Sequence, residues 1–254
     1  MRRADPDAAL NAEQRAAADA GIKAMIPLPR PFLEYVLSAL ADAGITDVCV
    51  VIGPDHDIVR RHFERDVRVT RVRLEFAIQQ EPRGSADAFL ATEGFASGEH
   101  VVLVNSDNYY PVHALKALRE LGAGGVAAFE RDALIRLSNI EPERVRRYSV
   151  IETDDRGMLR RIVEKPEPGD MGARGDVLVG MNSWSLPPQI YDACRRIPMS
   201  PRGEMELPHA VQYAIEHLGV AIQVLRFQDA VLDLSSRADI AAVSGRLEHV
   251  VPRL

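Results

Sequence analysis

The segment Val101-Val102-Leu103-Val104-Asn105-Ser106-Asp107-Asn108 places four apolar residues directly ahead of a polar turn. Gly98 precedes this run and a Tyr-Tyr-Pro turn follows it. A short apolar run that is bounded by turn residues predicts a buried parallel strand. Ligands gather beyond the carboxyl ends of strands in open α/β sheets, so we expect Asp107 to lie at a binding edge. There it either ligates Mg²⁺ or caps the helix predicted from about Val112 to Leu121.

A second aspartate follows another short apolar strand near the other end of the chain. The segment Val231-Leu232-Asp233-Leu234-Ser235 carries it ahead of a further predicted helix. Two strand-end aspartates that lie far apart in sequence can share one metal only in a folded site. We therefore predict a single Mg²⁺ site with Asp107 and Asp233 as its protein ligands.

The composition is that of a soluble globular protein with room for a large core. Of 254 residues, 46% are hydrophobic and 27% are charged, and the net charge is −6. The negative charge argues against a nucleic-acid partner, and the arginines Arg144, Arg146 and Arg147 are interpreted as a solvated face. No apolar stretch approaches the roughly 20 residues of a membrane helix, so no membrane partner is expected.

The cysteines and histidines give no sign of a metal centre. Cys49 and Cys194 lie in apolar contexts without metal-like spacing and are predicted to be buried, reduced thiols. The seven histidines show no zinc-binding spacing. The amino terminus has two arginines but no apolar core of a secretory signal. These features together predict a cytoplasmic protein.

The order of predicted elements indicates an α/β fold. Asn11 and Gln14 resemble a capping box that opens an alanine-rich helix, which Gly21 ends. Strands and helices then alternate through the Val101 strand, which predicts a mostly parallel, Rossmann-like mixed sheet with helices on both faces. After Gly125 the alternation of strands and helices gives way to closely spaced predicted strands. The turn at Asp154-Asp155-Arg156-Gly157 predicts a hairpin between two of them. We interpret residues 1–254 as one domain.

Several short motifs occur in an order that resembles one enzyme family. They are Ile22-Lys23-Ala24-Met25-Ile26-Pro27, Gln80-Glu81-Pro82-Arg83-Gly84-Ser85-Ala86, Asp107, Ile162-Val163-Glu164-Lys165-Pro166, Gly203-Glu204-Met205-Glu206-Leu207 and Asp233. In this order, across roughly residues 22–245, they resemble the sugar-1-phosphate nucleotidyltransferases, whose fold is of the nucleotide-diphospho-sugar transferase type.

The resemblance implies the reaction, its partners and a division of the chain. Members join an NTP to a sugar 1-phosphate, with Mg²⁺, and release pyrophosphate. Residues 22–125 would form the nucleotide-binding half and residues 126–254 the sugar-phosphate-binding half. Neither the base, nor the sugar, nor association into a homo-oligomer follows from the sequence.

The resemblance also implies roles for two lysines. Lys23 would place positive charge on the NTP side, and Lys165 would place it against the sugar phosphate. Alternatively, Lys23 is a solvated residue beside an apolar segment, and Lys165 forms an ordinary surface ion pair with Glu164.

Four further residues are expected to bind substrate. Gln80 and Gly84 would read the base, because a glycine lets the backbone approach a flat ring and glutamine offers both a donor and an acceptor. The alternative for this turn is a plain helix start with Ser85 as its N-cap. Glu164 would accept hydrogen bonds from sugar hydroxyls, and Asn182 would add a polar contact or bond only to the backbone.

One departure from the family pattern is large. Members begin with a strand and a glycine-rich loop, A-A-G-x-G-T-R, that holds the triphosphate, and the 254 residues contain no such loop. Met1-Arg2-Arg3 resembles the continuation of that loop. We expect either a truncated start or a divergent relative, and truncation is favoured because a sheet without that strand exposes unpaired edges.

Three functions therefore remain open at this point. The first is nucleotidyl transfer, with little turnover expected from residues 1–254 alone. The second is a non-catalytic protein that binds nucleotide-sugars or regulates other proteins. The third is a GT-A glycosyltransferase, which is disfavoured because Asp107 is followed by Asn108 and Tyr109 rather than completing a D-x-D motif.

Overall fold

The computed structural model describes residues 10–164, 166 and 177–254. Its strands, in chain order, are β1 (Asp47–Ile52), β2 (Arg73–Ile78), β3 (Val101–Leu103), β4 (Asn108–Tyr109), β5 (Gly125–Glu130), β6 (Ser149–Thr153), β7 (Leu159–Val163), β8 (Leu178–Leu186), β9 (Gln223–Phe227) and β10 (Leu232–Asp233). Its α-helices are α1 (Ala12–Ala20), α2 (Phe32–Asp42), α3 (Asp57–Arg61), α4 (Ser85–Leu90), α5 (Glu93–Ala96), α6 (Val112–Glu120), α7 (Arg131–Leu137), α8 (Pro142–Val145), α9 (Gln189–Arg196), α10 (Leu207–His217) and α11 (Asp239–Leu247).

The first helix forms as its sequence predicts. The Asn11 side chain accepts a hydrogen bond from the Gln14 backbone N–H at 2.8 Å, and the Gln14 side chain accepts one from the Asn11 N–H at 3.2 Å. Gly21 ends the helix in the left-handed region, with φ 76°. The Gln14 side chain also donates to the Pro27 carbonyl, which ties α1 to the segment after Lys23.

The sheet is mixed. Its main path runs β7-β6-β8-β5-β9, and β3 also pairs with β8. The parallel pair β1–β2 forms a two-stranded sheet of its own. In the main sheet β9 is parallel to β5, whereas β8 is antiparallel to β3, β5 and β6. The prediction of a buried parallel strand at Val101 is therefore wrong, because β3 is half-buried and antiparallel to β8. The long strand β8 therefore joins the two predicted halves, because it contacts β3 from the first half and β5 and β6 from the second.

Helices cover both faces of this sheet, as predicted. On β5, Ala127 and Phe129 belong to one buried cluster, and Val126 and Ala128 belong to the other. Residues two apart in a strand share a face, so this alternation means that β5 separates the two cores. The first cluster is packed by α2, α6 and α11, and the second by α4, α9 and α10.

Several local predictions are confirmed, and two need correction. The hairpin β6–β7 forms around the turn at residues 154–157, and Trp184 is a fully buried core residue. The helix predicted from about Ser85 to Ala96 is interrupted, giving α4 and α5. Cys194 is buried as expected, but Cys49 is only half-buried because it lines an open cleft beside β1. No described helix combines the length and apolarity needed to span a bilayer.

Candidate functional site

The site begins where two short strands bring Asp107 and Asp233 together. Strand β10 pairs antiparallel with β4, so that Asp233 lies opposite Asn108. The Leu234 backbone N–H donates to the Asp107 carbonyl at 2.9 Å. The two aspartates that the sequence placed at separate strand ends are therefore neighbours across this ladder. Their sharing of one metal remains a prediction.

Lys23 lies directly against Asp107. Its Nζ donates to Asp107 Oδ2 at 2.7 Å, and both side chains are partly exposed, at 34% and 23%. Lys23 begins a short 3₁₀ turn that follows α1. Lys23 is therefore attached to the predicted metal ligand, and its role on the NTP side remains a prediction. The alternative of Asp107 as a helix cap is wrong, because Pro111 occupies the N-cap position of α6 without a side-chain cap.

Asp233 is held far more tightly than Asp107. Its side chain is 5% exposed, and the Tyr148 hydroxyl donates to its Oδ2 at 2.6 Å. Asn139 holds the backbone on both sides, since its side chain donates to the Asp233 carbonyl at 2.8 Å and accepts from the Asp233 N–H at 2.9 Å. Oδ1 has no hydrogen-bond partner among the described residues.

A partly buried ion pair lies behind this carboxylate. Arg144 makes two hydrogen bonds to Asp239, at 2.9 and 3.0 Å, and its guanidinium lies 3.9 Å from Asp233 Oδ1. The Ser236 N–H and hydroxyl also donate to Asp239. The interpretation of Arg144 as part of a solvated face is therefore wrong, because the helix α8 turns its side chain inward onto two carboxylates.

Two tyrosine hydroxyls remain protonated beside the aspartates. Burial raises the pKa of Tyr148, and the Asp233 carboxylate raises it further, so the hydroxyl stays a hydrogen-bond donor. Burial also raises the pKa of Tyr110 well above its usual range. The Asn105 N–H offsets part of that rise, and both Asp107 and Asp233 add to it. The Tyr110 hydroxyl therefore lies in the field of both carboxylates.

Asn182 lies close to this group through an irregularity in β8. The Tyr110 hydroxyl donates to the Met181 carbonyl at 2.6 Å, one residue before Asn182. Asn182 has φ 54°, and the β5–β8 register slips between Trp184 and Gly180 around it. Asparagine tolerates the left-handed region better than most residues, and such bulges re-aim a side chain. Its contact with a sugar remains a prediction.

The Gln80–Gly84 turn packs against the backbone of Met205, a contact that the sequence did not predict. A Cβ on Gly84 would lie 2.5 Å from the Met205 carbonyl oxygen, and its φ is 108°. The Met205 N–H also donates to the Arg83 carbonyl. Glycine is thus required here by the backbone that precedes α10, whatever ligand binds nearby. Gln80 itself is exposed and lines a cleft of about 340 Å³.

The serine of this turn also acts on a distant helix. Ser85 is the first residue of α4 rather than its N-cap, and its Oγ accepts the Leu207 N–H at 2.9 Å at the start of α10. The alternative of Ser85 as the N-cap of its own helix is therefore wrong.

The two residues predicted to contact the sugar phosphate, Glu164 and Lys165, come directly after the β6–β7 hairpin in the sequence. Glu164 is half-buried at the end of β7. The pKa of the Arg202 guanidinium is raised chiefly by its hydrogen bond to Glu206, and the Glu164 carboxylate adds to this rise. Lys165 lies outside the described residues, and its role towards the sugar phosphate remains a prediction.

The donor set suits a metal that keeps non-protein ligands. Within residues 10–164, 166 and 177–254, no group of three or more His, Cys, Asp or Glu side chains is arranged to hold a metal ion. Asp107 and Asp233 supply two carboxylates, and the buried Asp233 Oδ1 lacks a partner among the described residues. Mg²⁺ binds through one or two carboxylates plus waters and substrate phosphates, so these residues fit it.

A comparison with known protein families identifies the chain. The family model described as nucleotidyl transferase matches residues 20–241. The chain belongs to this family. The family resemblance drawn from the motifs is confirmed, and the chain is an enzyme of the nucleotidyltransferase class.

Individual relatives point in the same direction. A UTP–glucose-1-phosphate uridylyltransferase of Haloferax volcanii is 28% identical over 223 residues, covering 87% of this nucleotidyltransferase and 85% of that protein. A glucose-1-phosphate thymidylyltransferase of Streptomyces antibioticus is 30% identical over 227 residues, covering 89% of this chain and 60% of that one.

Solved structures confirm the fold. A UDP-glucose pyrophosphorylase complexed with UDP-glucose superposes with a TM-score of 0.70 at 19% identity, covering 89% of this nucleotidyltransferase and 90% of that chain. A UTP-bound enzyme of Acinetobacter baumannii gives 0.71 at 17% identity, covering 91% and 87%. At this identity the likeness concerns the fold alone.

Three residues of the site were missed in the sequence analysis. Asn139, Tyr148 and Asp239 all contact Asp233 or the arginine behind it, yet none lies in a recognisable motif. The one sequence signal was the position of Asp239 as the first residue of α11, in a Ser-Ser-Arg-Ala-Asp run that is typical of helix starts.

Proposed function

We propose that the enzyme transfers a nucleotidyl group from an NTP to a sugar 1-phosphate, giving an NDP-sugar and pyrophosphate, with Mg²⁺ required. The observation that carries the proposal is the Lys23–Asp107 pair beside Asp233, at the point where β4 meets β10. The family match supplies the class of reaction. The halves 22–125 and 126–254 would bind the nucleotide and the sugar phosphate respectively.

The choice of first substrates follows from the relatives. The relatives named above act on glucose 1-phosphate and transfer a uridylyl or a thymidylyl group. UTP and the corresponding thymidine triphosphate, each with glucose 1-phosphate, are therefore the first substrates to test.

The residues would act by positioning and charge. Asp107 and Asp233 would hold Mg²⁺, which when bound supplies Lewis-acid polarisation of phosphate oxygens. Lys23 keeps its ammonium fixed against Asp107 and would donate hydrogen bonds to the NTP phosphates. Tyr148 and Asn139 hold Asp233 in one orientation, with Oδ2 bonded to the Tyr148 hydroxyl and Oδ1 without a hydrogen-bond partner among the described residues. Phosphoryl-type transfers need in-line positioning and charge neutralisation rather than covalent help from the protein.

Substrate selection would come from residues outside this group. Gln80 and Gly84 would contact the base, Glu164 and Asn182 the sugar, and Lys165 the sugar phosphate. These roles rest on the family motifs and on the position of Asn182 beside the contact between Tyr110 and Met181.

The test compares wild type with Asp107→Asn, Asp233→Asn and Asp229→Asn. Asp229 lies on the surface and pairs with His113, so Asp229→Asn is the matched control. Pyrophosphate release is measured over a panel of NTPs and sugar 1-phosphates, and Mn²⁺ binding is measured by electron paramagnetic resonance. We expect both site variants to lose at least about 100-fold in turnover, since each loses a charge that stabilises the transition state, and to bind Mn²⁺ more weakly.

The assay is run on two forms, because the phosphate loop is absent from residues 1–254. One form is the chain as printed, in which we expect little turnover. The other carries a strand and an A-A-G-x-G-T-R loop ahead of Met1. No pyrophosphate from the extended form with any substrate pair, or full activity in both asparagine variants, would contradict the proposed function.

A further inference from the structure

Helix α1 leaves most of its surface to solvent. It has nine residues, and isolated helices shorter than about 12 residues are marginal in water. Ala18 is fully buried, whereas Glu13, Arg15 and Asp19 are exposed. Helix α1 therefore depends on contacts with the rest of the fold to stay in place.

One of these contacts joins α1 to the loop between β10 and α11. The Nη2 atom of Arg237 donates a hydrogen bond to Oδ1 of Asp19. The Arg237 side chain is 7% exposed, whereas the Asp19 side chain is 62% exposed. A guanidinium that is largely removed from water is costly unless acceptors such as a carboxylate compensate it. We therefore expect this pair to hold more firmly than one between two exposed side chains.

Asp19 opposes the helix that carries it. It lies in the last turn of α1, where no basic residue occurs. Negative charge near the carboxyl end of a helix is unfavourable, because the backbone carbonyls there already carry partial negative charge. The Asp19 carboxylate therefore attaches α1 to Arg237 and does not stabilise the helix by itself.

The Arg237 end of the pair is anchored. Arg237 follows Asp233 by four residues in the sequence. Beside it, the Ser236 N–H and hydroxyl donate to Asp239 at 2.7 and 2.8 Å, and Arg144 binds the same carboxylate. The loop that carries Arg237 is therefore held by its own hydrogen bonds.

The Asp19 end of the pair leads directly to Lys23, which follows Asp19 by four residues. The Ile22 N–H donates to the Ala17 carbonyl at 3.3 Å, which keeps the intervening backbone against the end of α1. The Lys23 ammonium then reaches Asp107 Oδ2 at 2.7 Å. A displacement of α1 would therefore draw Lys23 away from Asp107.

We propose that Arg237 is a positioning residue for Lys23. Through Asp19 it holds the end of α1 on the β10–α11 loop, and the Lys23 ammonium consequently stays against Asp107. The consequence for catalysis rests on the proposed function, in which Lys23 donates hydrogen bonds to the NTP phosphates. The positioning itself does not depend on that function.

The test measures how readily the Lys23 amine is acylated. The chain has three lysines, so limited acetylation with an N-hydroxysuccinimide ester, followed by mass spectrometry, reports each of them separately. Lys116 is the internal reference, because its side chain is 56% exposed and its ammonium lies 3.8 Å from Glu120. The reaction needs no substrate, so its outcome is separate from the success or failure of the proposed function.

Asp19→Ala removes the carboxylate that Arg237 binds, and Glu13→Ala is the matched control. Glu13 lies on the same helix, is exposed, and has a carboxylate without a partner among the described residues. Ion pairs between exposed side chains shift an equilibrium by up to about 5-fold. Because Arg237 is largely buried, we expect Asp19→Ala to raise the labelling of Lys23 relative to Lys116 by about 5-fold or more. Glu13→Ala should leave this ratio unchanged.

Two further variants identify the cause. Asp19→Glu keeps the charge on an exposed side chain, so its labelling of Lys23 should match that of wild type. Arg237→Met should raise the labelling as Asp19→Ala does, and the double variant should add nothing, because both changes break the same interaction. If Arg237→Met fails to fold, Asp19→Ala and Asp19→Glu decide the question.

Three results would overturn the proposal. The first is wild-type labelling of Lys23 in Asp19→Ala, which would show that other contacts hold α1 in place. The second is an equal rise in Glu13→Ala or Asp19→Glu, which would show that the pair with Arg237 is not the cause. The third is an additive rise in the double variant, which would show that Arg237 does not act through Asp19.

Discussion

Replacing Tyr148 with phenylalanine removes the hydroxyl that orients Asp233 and leaves the ring in place. That hydroxyl donates a 2.6 Å hydrogen bond to Oδ2, and Oδ1 already lacks a hydrogen-bond partner among the described residues. In Tyr148→Phe, a carboxylate that is 5% exposed keeps, among the described side chains, the Arg144 guanidinium 3.9 Å away. Both the stability of the fold and the readiness of Asp233 to bind a cation should therefore fall.

The size of each effect follows from the lost contact. A hydrogen bond to a charged group contributes about 1.5–3 kcal/mol to the free energy of unfolding. For a chain of this length, each kcal/mol lowers the melting temperature by about 2–4 °C, so we expect a fall of about 3–12 °C. Loss of a group that orients a metal ligand typically weakens metal affinity about 10–100-fold, and we expect that range for Mn²⁺.

The assays are scanning calorimetry and Mn²⁺ titration followed by electron paramagnetic resonance. Tyr109→Phe is the matched control, because Tyr109 lies on β4 beside the same site and its hydroxyl bonds to no other described residue. If Tyr148→Phe matches Tyr109→Phe and wild type in both measurements, then the hydroxyl does not position Asp233 and the reasoning fails.

Replacing each of the two lysines should affect a different substrate. Lys23→Ala should raise the KM for NTP, and Lys165→Ala should raise the KM for the sugar 1-phosphate. We expect each rise to be about 10-fold or more in steady-state kinetics of the extended form. Equal effects on both substrates would contradict the assigned sides. Gly84→Ala should destabilise the fold by more than about 2 kcal/mol in urea unfolding, because its Cβ would meet the Met205 carbonyl at 2.5 Å. Gly98→Ala also has positive φ but open space around it, so it should cost about 1 kcal/mol, and equal losses would remove the steric argument.

Local sequence determined the elements whose stability depends on near neighbours. The capping box of Asn11 and Gln14, the stop at Gly21 and the turn at residues 154–157 involve contacts between residues only a few positions apart. Such contacts form in the same way in many folds, which is why a pattern in the sequence predicts them. The strand-end position of Asp107 was predictable for the same reason.

Only the tertiary structure decided what surrounds those aspartates. Asp233 is oriented by Tyr148 and Asn139, and Arg144 binds Asp239 rather than water. These partners lie more than 80 positions apart, and each is joined by the paths of strands and helices rather than by a local motif. An arginine beside two others looks like a solvated face in the sequence. Arg144 forms a partly buried ion pair because the folded chain places two carboxylates within its reach, where an unpaired charge would be costly.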